Sequence, residues 1–348
     1  MILQTWEKII GDPAPPWDIY WEYSYCKAWE IEGAGYSRMF SYVRGDSVWF
    51  HVFLLNPIPD TDYFDIQTPY GYGGPLTNNS DPDFIFEASQ AFGEWARSNR
   101  VVCEFIRFHP ILKNESFVSD SLLTIEENRT TVFIDLRLSE EQLYEEMDAS
   151  FRRGIRKATV NRLRFQELRI NEYLPQFVSL YNATMRRVEA GPFYFFKPEH
   201  FAALSDSRLK PALLGVFDVE ELLAGALLFV GDEIVHYHLG ASDPRFLEKR
   251  PNNFLFYNMV LWAKNKKPCK ILHLGGGFEK NPGNSLFKFK ASVGKGRALF
   301  NIGKRIWNET VYRELCEQAV EKKPQLASLR KNYFQIYRVS KSRDEHSY

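Results

Sequence analysis

What most constrains the fold of this chain is an order of elements that occurs twice. In the first half, Arg38 to Val43 and Val48 to Leu55 flank Arg44-Gly45-Asp46, which predicts a strand pair. It leads to the loop Tyr70-Gly71-Tyr72-Gly73-Gly74-Pro75, a helix from Phe84 to Ser98 and a strand from Val101 to Phe108. In the second half, the pair Leu213 to Phe217 and Gly225 to Val230, with the strand Ile234 to Leu239, leads to the loop Gly240-Ala241-Ser242-Asp243-Pro244. A helix from Asn253 to Lys264 and a strand from Lys270 to Leu274 follow. The repeat is one of pattern, not of residue identity. It predicts a mixed α+β fold of two similar lobes, residues 1–150 and 151–348, with the boundary near a helix from Glu140 to Ala158. At 348 residues the chain can give each lobe its own core.

Charge is sorted between these halves. Residues 1–150 hold 10 Lys and Arg against 25 Asp and Glu, and residues 151–348 hold 34 against 19, so −15 and +15 lie inside a net charge of zero. Two readings stay open: the second half faces a polyanion such as a nucleotide, a cofactor phosphate or tRNA, or the halves attract one another.

Apolar residues at 45% exclude a disordered chain. Met1 to Asp12 alternates apolar and charged residues with no uninterrupted apolar core, so no secretory leader is expected. No apolar run reaches the roughly 20 residues that cross a bilayer. Cys26, Cys103, Cys269 and Cys316 are scattered without a CxxC pair, as suits reduced, packed thiols of a cytoplasmic protein, and no metal site is expected.

Between the repeats, Ser139 and Gln142 form a capping-box pattern, followed by Leu143, Met147, Phe151, Ile155 and Ala158 at helical spacing. Arg152, Arg153, Arg156 and Lys157 crowd the end of that helix, as an anion-facing surface or as a solvated flank. A second helix is predicted from about Tyr173 to Arg187, with Phe177, Leu180, Tyr181 and Thr184 along one side. The aromatic run Phe193 to Phe196 after it either walls a pocket or packs at an interface.

Three constellations could carry chemistry. Arg245, Lys249 and Arg250 precede a helix opened by Pro251, Asn252 and Asn253, whose free N–H groups suit a phosphate. Gly275, Gly276 and Gly277 end a strand and let backbone approach a ligand, with Lys290 placed to neutralise a phosphate or a developing oxyanion. The glycine spacing is neither that of a P-loop nor that of a Rossmann fingerprint. His236 and His238, two apart on a strand, fall on one face as structural residues or as a proton-accepting pair; His238 is the candidate base.

Taken in order, these elements resemble the Fem family of aminoacyl- and acyltransferases, in its cell-envelope and polysaccharide-associated branch. Four segments carry the resemblance: Phe151-Arg152-Arg153-Gly154-Ile155-Arg156-Lys157-Ala158; Leu180-Tyr181-Asn182-Ala183-Thr184-Met185-Arg186-Arg187; His238-Leu239-Gly240-Ala241-Ser242; and Leu274-Gly275-Gly276-Gly277 with Phe289-Lys290 and Gly294. Lys290 aligns with the family's FK lysine. The chain departs from the family at His273, where an acidic residue is common, so no role for that acid is carried over.

The resemblance implies two tandem GNAT-like domains and N-acyl transfer from acyl-CoA as co-substrate, with aminoacyl-tRNA as the alternative donor, to a primary amine. The acceptor would be an amino sugar, a side chain or a peptidoglycan precursor, nucleotide-linked or lipid-linked, with no role for DNA. Tyr70, Tyr72, Arg187 and Tyr194 are expected to line the acceptor site between the lobes. A non-catalytic nucleotide-binding scaffold that has kept the double fold is the competing reading.

Overall fold

The computed structural model describes residues 18–266, 268–277, 283–329 and 333–339, so the leader reading of Met1 to Asp12 lies outside it. The elements run α1 (Tyr23–Ile31), β1 (Tyr36–Arg44), β2 (Ser47–Pro57), β3 (Phe64–Gln67), β4 (Gly74–Thr77), α2 (Pro82–Ser98), β5 (Val101–Arg107) and β6 (Leu123–Asp135). Then come α3 (Glu140–Glu146), α4 (Ala149–Val160), β7 (Arg164–Leu168), α5 (Ile170–Arg187), α6 (Pro198–Leu204), β8 (Pro211–Asp218), β9 (Glu221–Val230) and β10 (Ile234–Ser242). The last are α7 (Pro251–Lys264), β11 (Ile271–Gly275), α8 (Ser285–Ala291), β12 (Gly296–Ile306) and α9 (Glu309–Lys322).

The chain divides into unit 1, residues 1–128 with 300–348, and unit 2, residues 129–299. In unit 1, β1, β2 and β3 are joined antiparallel in that order, β3 pairs parallel with β5, and β5 pairs antiparallel with β12. Unit 2 repeats the order: β8, β9 and β10 are antiparallel, β10 pairs parallel with β11, and β11 pairs antiparallel with β6. In both units a helix, α2 or α7, carries the chain between the parallel strands. The expected boundary after residue 150 is therefore corrected. The part of β12 that pairs with β5, Ile302–Ile306, follows unit 2 in sequence, while the part of β6 that pairs with β11, Val132–Asp135, precedes the rest of unit 2. No break in composition marks either exchange. Recounted on these boundaries, unit 1 holds 18 Lys and Arg against 25 Asp and Glu and unit 2 holds 26 against 19, so the imbalance falls to −7 and +7.

Local chemistry explains the elements. Asp81 caps α2 by accepting from the Asp83 N–H at 3.2 Å, Pro82 opens the helix, and Phe84, Ala88, Phe92 and Ala96 bury its inner face. In the loop before β4, Gly71 has a φ of +94°, and a Cβ there would come within 2.5 Å of Tyr20, so glycine is required on both counts. The continuous apolar runs of β8 and β9 are buried on both faces.

The Ser139–Gln142 capping box forms, but the single helix expected to Ala158 is two. Met147 is extended, the Asp148 N–H donates to the Ser292 carbonyl at 2.9 Å, and Lys295 pairs with Asp148 at 2.6 Å. The apolar stripe survives the break, since Leu143, Met147, Phe151, Ile155 and Ala158 are all buried in the unit 2 core. Gly154 lets α4 lie close to α7: a Cβ there would approach Asn253 to 2.5 Å.

Candidate active site

The segments that carried the family resemblance meet within unit 2. On α5, the Thr184 hydroxyl accepts from the Ser242 N–H at 3.0 Å, at the end of β10. Asn252, at the start of α7, donates to the Ser242 hydroxyl at 3.2 Å, and Asn253 donates to the Phe151 carbonyl on α4 at 3.3 Å. Phe289 on α8 packs against Phe151 and Phe256 at 5.7 and 5.0 Å between ring centres. These residues brace the end of β10 and the start of α7. The Asn252 and Asn253 side chains, expected at a donor phosphate, are engaged in that brace.

Parallel pairing of β10 with β11 is confined to Ile234–His236 against Ile271–His273. Beyond it β10 runs on to Ser242 paired only on its β9 side, and β11 ends at Gly275, so β10 has an unpaired edge past His236. The register of β10 against β9 slips between Tyr237 and Leu239, leaving His238 as the extra residue of a bulge. This corrects the simple alternation expected of the two histidines. His236 is fully buried with its ring 5.7 Å from that of His273, whereas half-buried His238 lies 4.9 Å from Phe229. Burial, then the nearby His200 and His236, push the His238 pKa down to about 3, so its ring is neutral at physiological pH.

Lys290 is the buried charge of this region, at 6% exposure on the last turn of α8. Its Nζ donates to the Gly276 carbonyl at 2.8 Å and lies 5.4 Å from the centre of the Tyr237 ring. Among the described residues no carboxylate pairs with it. Burial, reinforced by the charge of Arg129, lowers its pKa to about 7. The glycine turn follows, with Gly275 at a φ of +72°. Lys288, two residues earlier, is exposed.

The other expected residues divide. Arg245 is bound by Asp243 at 2.6 Å and Glu221 at 2.5 Å, and Lys249 by Asp218, so two of the three cations expected to steer a phosphate already have carboxylate partners. Arg250 has none among the described residues and stands exposed at the head of α7, with a φ of +63°. In unit 1, Tyr72 is a core residue, its ring 5.2 to 5.3 Å from those of Tyr20, His109 and Phe300. Tyr70 is 36% exposed, and its carbonyl accepts from the Tyr25 hydroxyl at 2.5 Å. In unit 2, Arg187 is exposed at the end of α5 and Tyr194 is half-buried. Phe196, from the same aromatic run, stacks 4.5 Å from His200 and 6.0 Å from Tyr181. Sequence reasoning missed Arg129, whose guanidinium donates to the Gly277 carbonyl at 2.9 Å; its only signal was a lone cation in an acidic stretch.

No helix among the described residues is long and apolar enough to cross a membrane. The sequence model for the acetyltransferase (GNAT) domain matches residues 146–291, which includes every site element from α4 to Lys290. No curated protein matches the chain. Among solved structures, FemX superposes with a TM-score of 0.69 at 15% identity, covering 86% of this chain and 94% of that one. The C-terminal domain of a putative lysylphosphatidylglycerol synthetase from Agrobacterium fabrum gives 0.53 at 14% identity, covering 80% and 86%. L-PGS from Bacillus licheniformis gives 0.50 at 14% identity, covering 84% and 93%. Residues 146–291 thus match the acetyltransferase (GNAT) domain, in a chain that shares the fold of FemX over 86% of its length.

Proposed function

We propose that the protein is an N-acyltransferase that moves an acyl group from an acyl-CoA to a primary amine of a cell-envelope precursor. The observation that carries this reading is Lys290: a buried amine without a carboxylate partner among the described residues, beside the opening between two parallel strands of a GNAT domain. In such a transfer the amine nitrogen attacks the thioester carbonyl, an oxyanion forms, the carbon–sulfur bond breaks, and the amine loses a proton as the thiolate gains one. The free edge of β10 past His236 offers peptide groups to an extended donor, as an added strand would use them. Arg250 and the start of α7 suit the donor phosphates.

Protonated Lys290 would stabilise the oxyanion, and a pKa near 7 lets it shed and regain a proton at little cost. His238, proposed from sequence as the base, is a poorer match, because an imidazolium with a pKa of about 3 holds a proton too weakly. Acyl-CoA is favoured over aminoacyl-tRNA because the structural boundaries halve the charge imbalance that suited a large polyanion. The acceptor class rests on the family resemblance, with Arg187 and Tyr194 of unit 2 as candidate contacts.

The test follows thiol release from several acyl-CoAs, beside labelled aminoacyl-tRNAs, against a panel of amino sugars and peptidoglycan peptides. Amine-dependent release from a CoA thioester supports the reading, and transfer from tRNA alone moves the donor assignment. Nucleotide binding with no transfer to any amine would leave a scaffold.

A further inference from the structure

Three groups of unit 2 converge on the turn after β11. Lys290 Nζ donates to the Gly276 carbonyl at 2.8 Å, and Arg129 donates to the next carbonyl, Gly277, at 2.9 Å. The stem of Arg129 runs beside Gly276, where a Cβ would meet its Cδ at 3.2 Å. The third group is Asn284, 6% exposed. Its Oδ1 caps α8 by accepting from the Leu286 and Phe287 N–H groups, and the amide lies against Gly277, where a Cβ would come within 2.7 Å of Oδ1. Its Nδ2 is buried without an acceptor. Lys290 keeps two of its three donors uncommitted.

Around one turn, Lys290 has no carboxylate joined to it among the described residues and the Asn284 amide has a donor without an acceptor, beside a second cation, Arg129. A buried donor without an acceptor costs free energy, and so does a buried charge without a counter-charge. One oxyanion ligand would relieve both.

We infer that Arg129, Lys290 and Asn284 form a binding site for a phosphate-class oxyanion, separate from the start of α7. The inference rests on the proposed acyl transfer only for the source of that oxyanion, which is either the nucleotide part of the donor or a nucleotide diphosphate on the acceptor. Arg129 is then a ligand-binding residue of unit 2, outside the matched GNAT segment, and Asn284 supplies the neutral donor. Among the described residues, Tyr237 from β10 and Arg129 from β6 are the charged or titratable groups that bear on Lys290.

The experiment uses the full chain and inorganic pyrophosphate as probe, followed by calorimetry, and needs no turnover, so it stands or falls apart from the acyltransferase assay. Arg129→Met and Lys290→Met are each expected to weaken binding roughly tenfold or more, as loss of a charge-assisted hydrogen bond does. Asn284→Asp keeps the helix cap but replaces the donor with a negative oxygen; it should abolish binding while the melting temperature holds. Binding should weaken from about pH 6 to about pH 8.5 as Lys290 deprotonates, while Lys288→Met should leave it unchanged. Competition names the source: displacement by adenosine 3′,5′-diphosphate indicates the donor, and displacement by uridine diphosphate the acceptor. Wild-type affinity in both Arg129→Met and Asn284→Asp, an equal loss in Lys288→Met, or no pyrophosphate binding by the wild type overturns the inference.

Discussion

In unit 1 the buried Glu104 carboxylate is held between two partners: His51 Nε2 at 2.7 Å and the Arg305 guanidinium, through Nε, at 2.9 Å. In unit 2 the buried Lys290 ammonium meets a peptide carbonyl and the face of a tyrosine. Arg305, 2% exposed, also reaches Asp120 at 2.8 Å and lies 4.3 Å from the Trp307 ring centre. A second matched set joins Asp65, fully buried, to Arg338 at 2.5 Å and the Tyr337 hydroxyl at 3.0 Å. Buried charges that neutralise one another hold a core together, whereas a buried charge without its partner persists only where something else needs it. By that contrast the charges of unit 1 are matched within the core, and the setting of Lys290 is the one that suits the role proposed for it.

The two sites also differ in pH dependence. Burial alone would favour the neutral acid of Glu104, but Arg305 and His51 outweigh it and hold the carboxyl below its usual pKa. Its stabilisation is complete above the ordinary glutamate pKa and is lost as pH falls through the depressed folded value. Lys290 is a base with a folded pKa lowered to about 7, so the unfolded chain binds the extra proton. Its penalty is full below about pH 7 and is relieved as pH rises towards the ordinary lysine value near 10.4.

The largest effect expected is on unit 1. Glu104→Ala leaves Arg305 buried with only Asp120, and should cost about 3–5 kcal/mol in denaturant unfolding. A loss below about 1 kcal/mol would mean that the matched charges hold nothing, and the contrast would break.

Next comes the activity of unit 2. Lys290→Met should reduce turnover about a hundredfold, as loss of an oxyanion donor does, while Lys288→Met, altering an exposed lysine, should leave turnover near wild type. Equal, small effects from both would make Lys290 a packing residue.

The same Lys290→Met variant should gain stability at neutral pH, on the order of 2 kcal/mol, and the gain should shrink towards pH 10. Thermal melts across that range check both sign and window. A variant less stable than wild type at pH 7 would show that the ammonium is balanced after all.

The smallest effect separates the cations before α7. Arg250→Ala should weaken acyl-CoA binding roughly tenfold, and Arg245→Ala, whose guanidinium already serves Asp243 and Glu221, much less. Calorimetry with a non-hydrolysable CoA analogue distinguishes them, and the reverse order would move the phosphates along the loop.

Much of the fold was legible because periodicity is local. The Arg38 and Leu213 strand pairs, the helices from Phe84 and Asn253 and the Ser139 capping box all appear within a few residues of where the sequence places them. The domain boundary was not legible, because β6 and β12 close units that hold their partner strands at long range, and such pairing leaves no periodic trace. Lys290 could be picked from its motif, but its burial depends on the packing of Phe289 against α4 and α7, which no local pattern encodes. The partners of the cations before α7 were not legible for the same reason: Asp218 and Glu221 answer Lys249 and Arg245 from the β8–β9 turn, well removed in sequence. His238 was read as one of an alternating pair, and only the bulge in β10 removes it from that register.

The central claim is that Lys290 is a buried amine without a matching charge among the described residues, poised near neutrality. Its most direct test is the pKa of that one side chain, read by NMR from a 13C label at its Cε and assigned by loss of the resonance in Lys290→Met. A midpoint near 7 is the predicted result. Titration near the ordinary lysine value of about 10.4 would contradict the account and return Lys290 to the solvated or paired lysines.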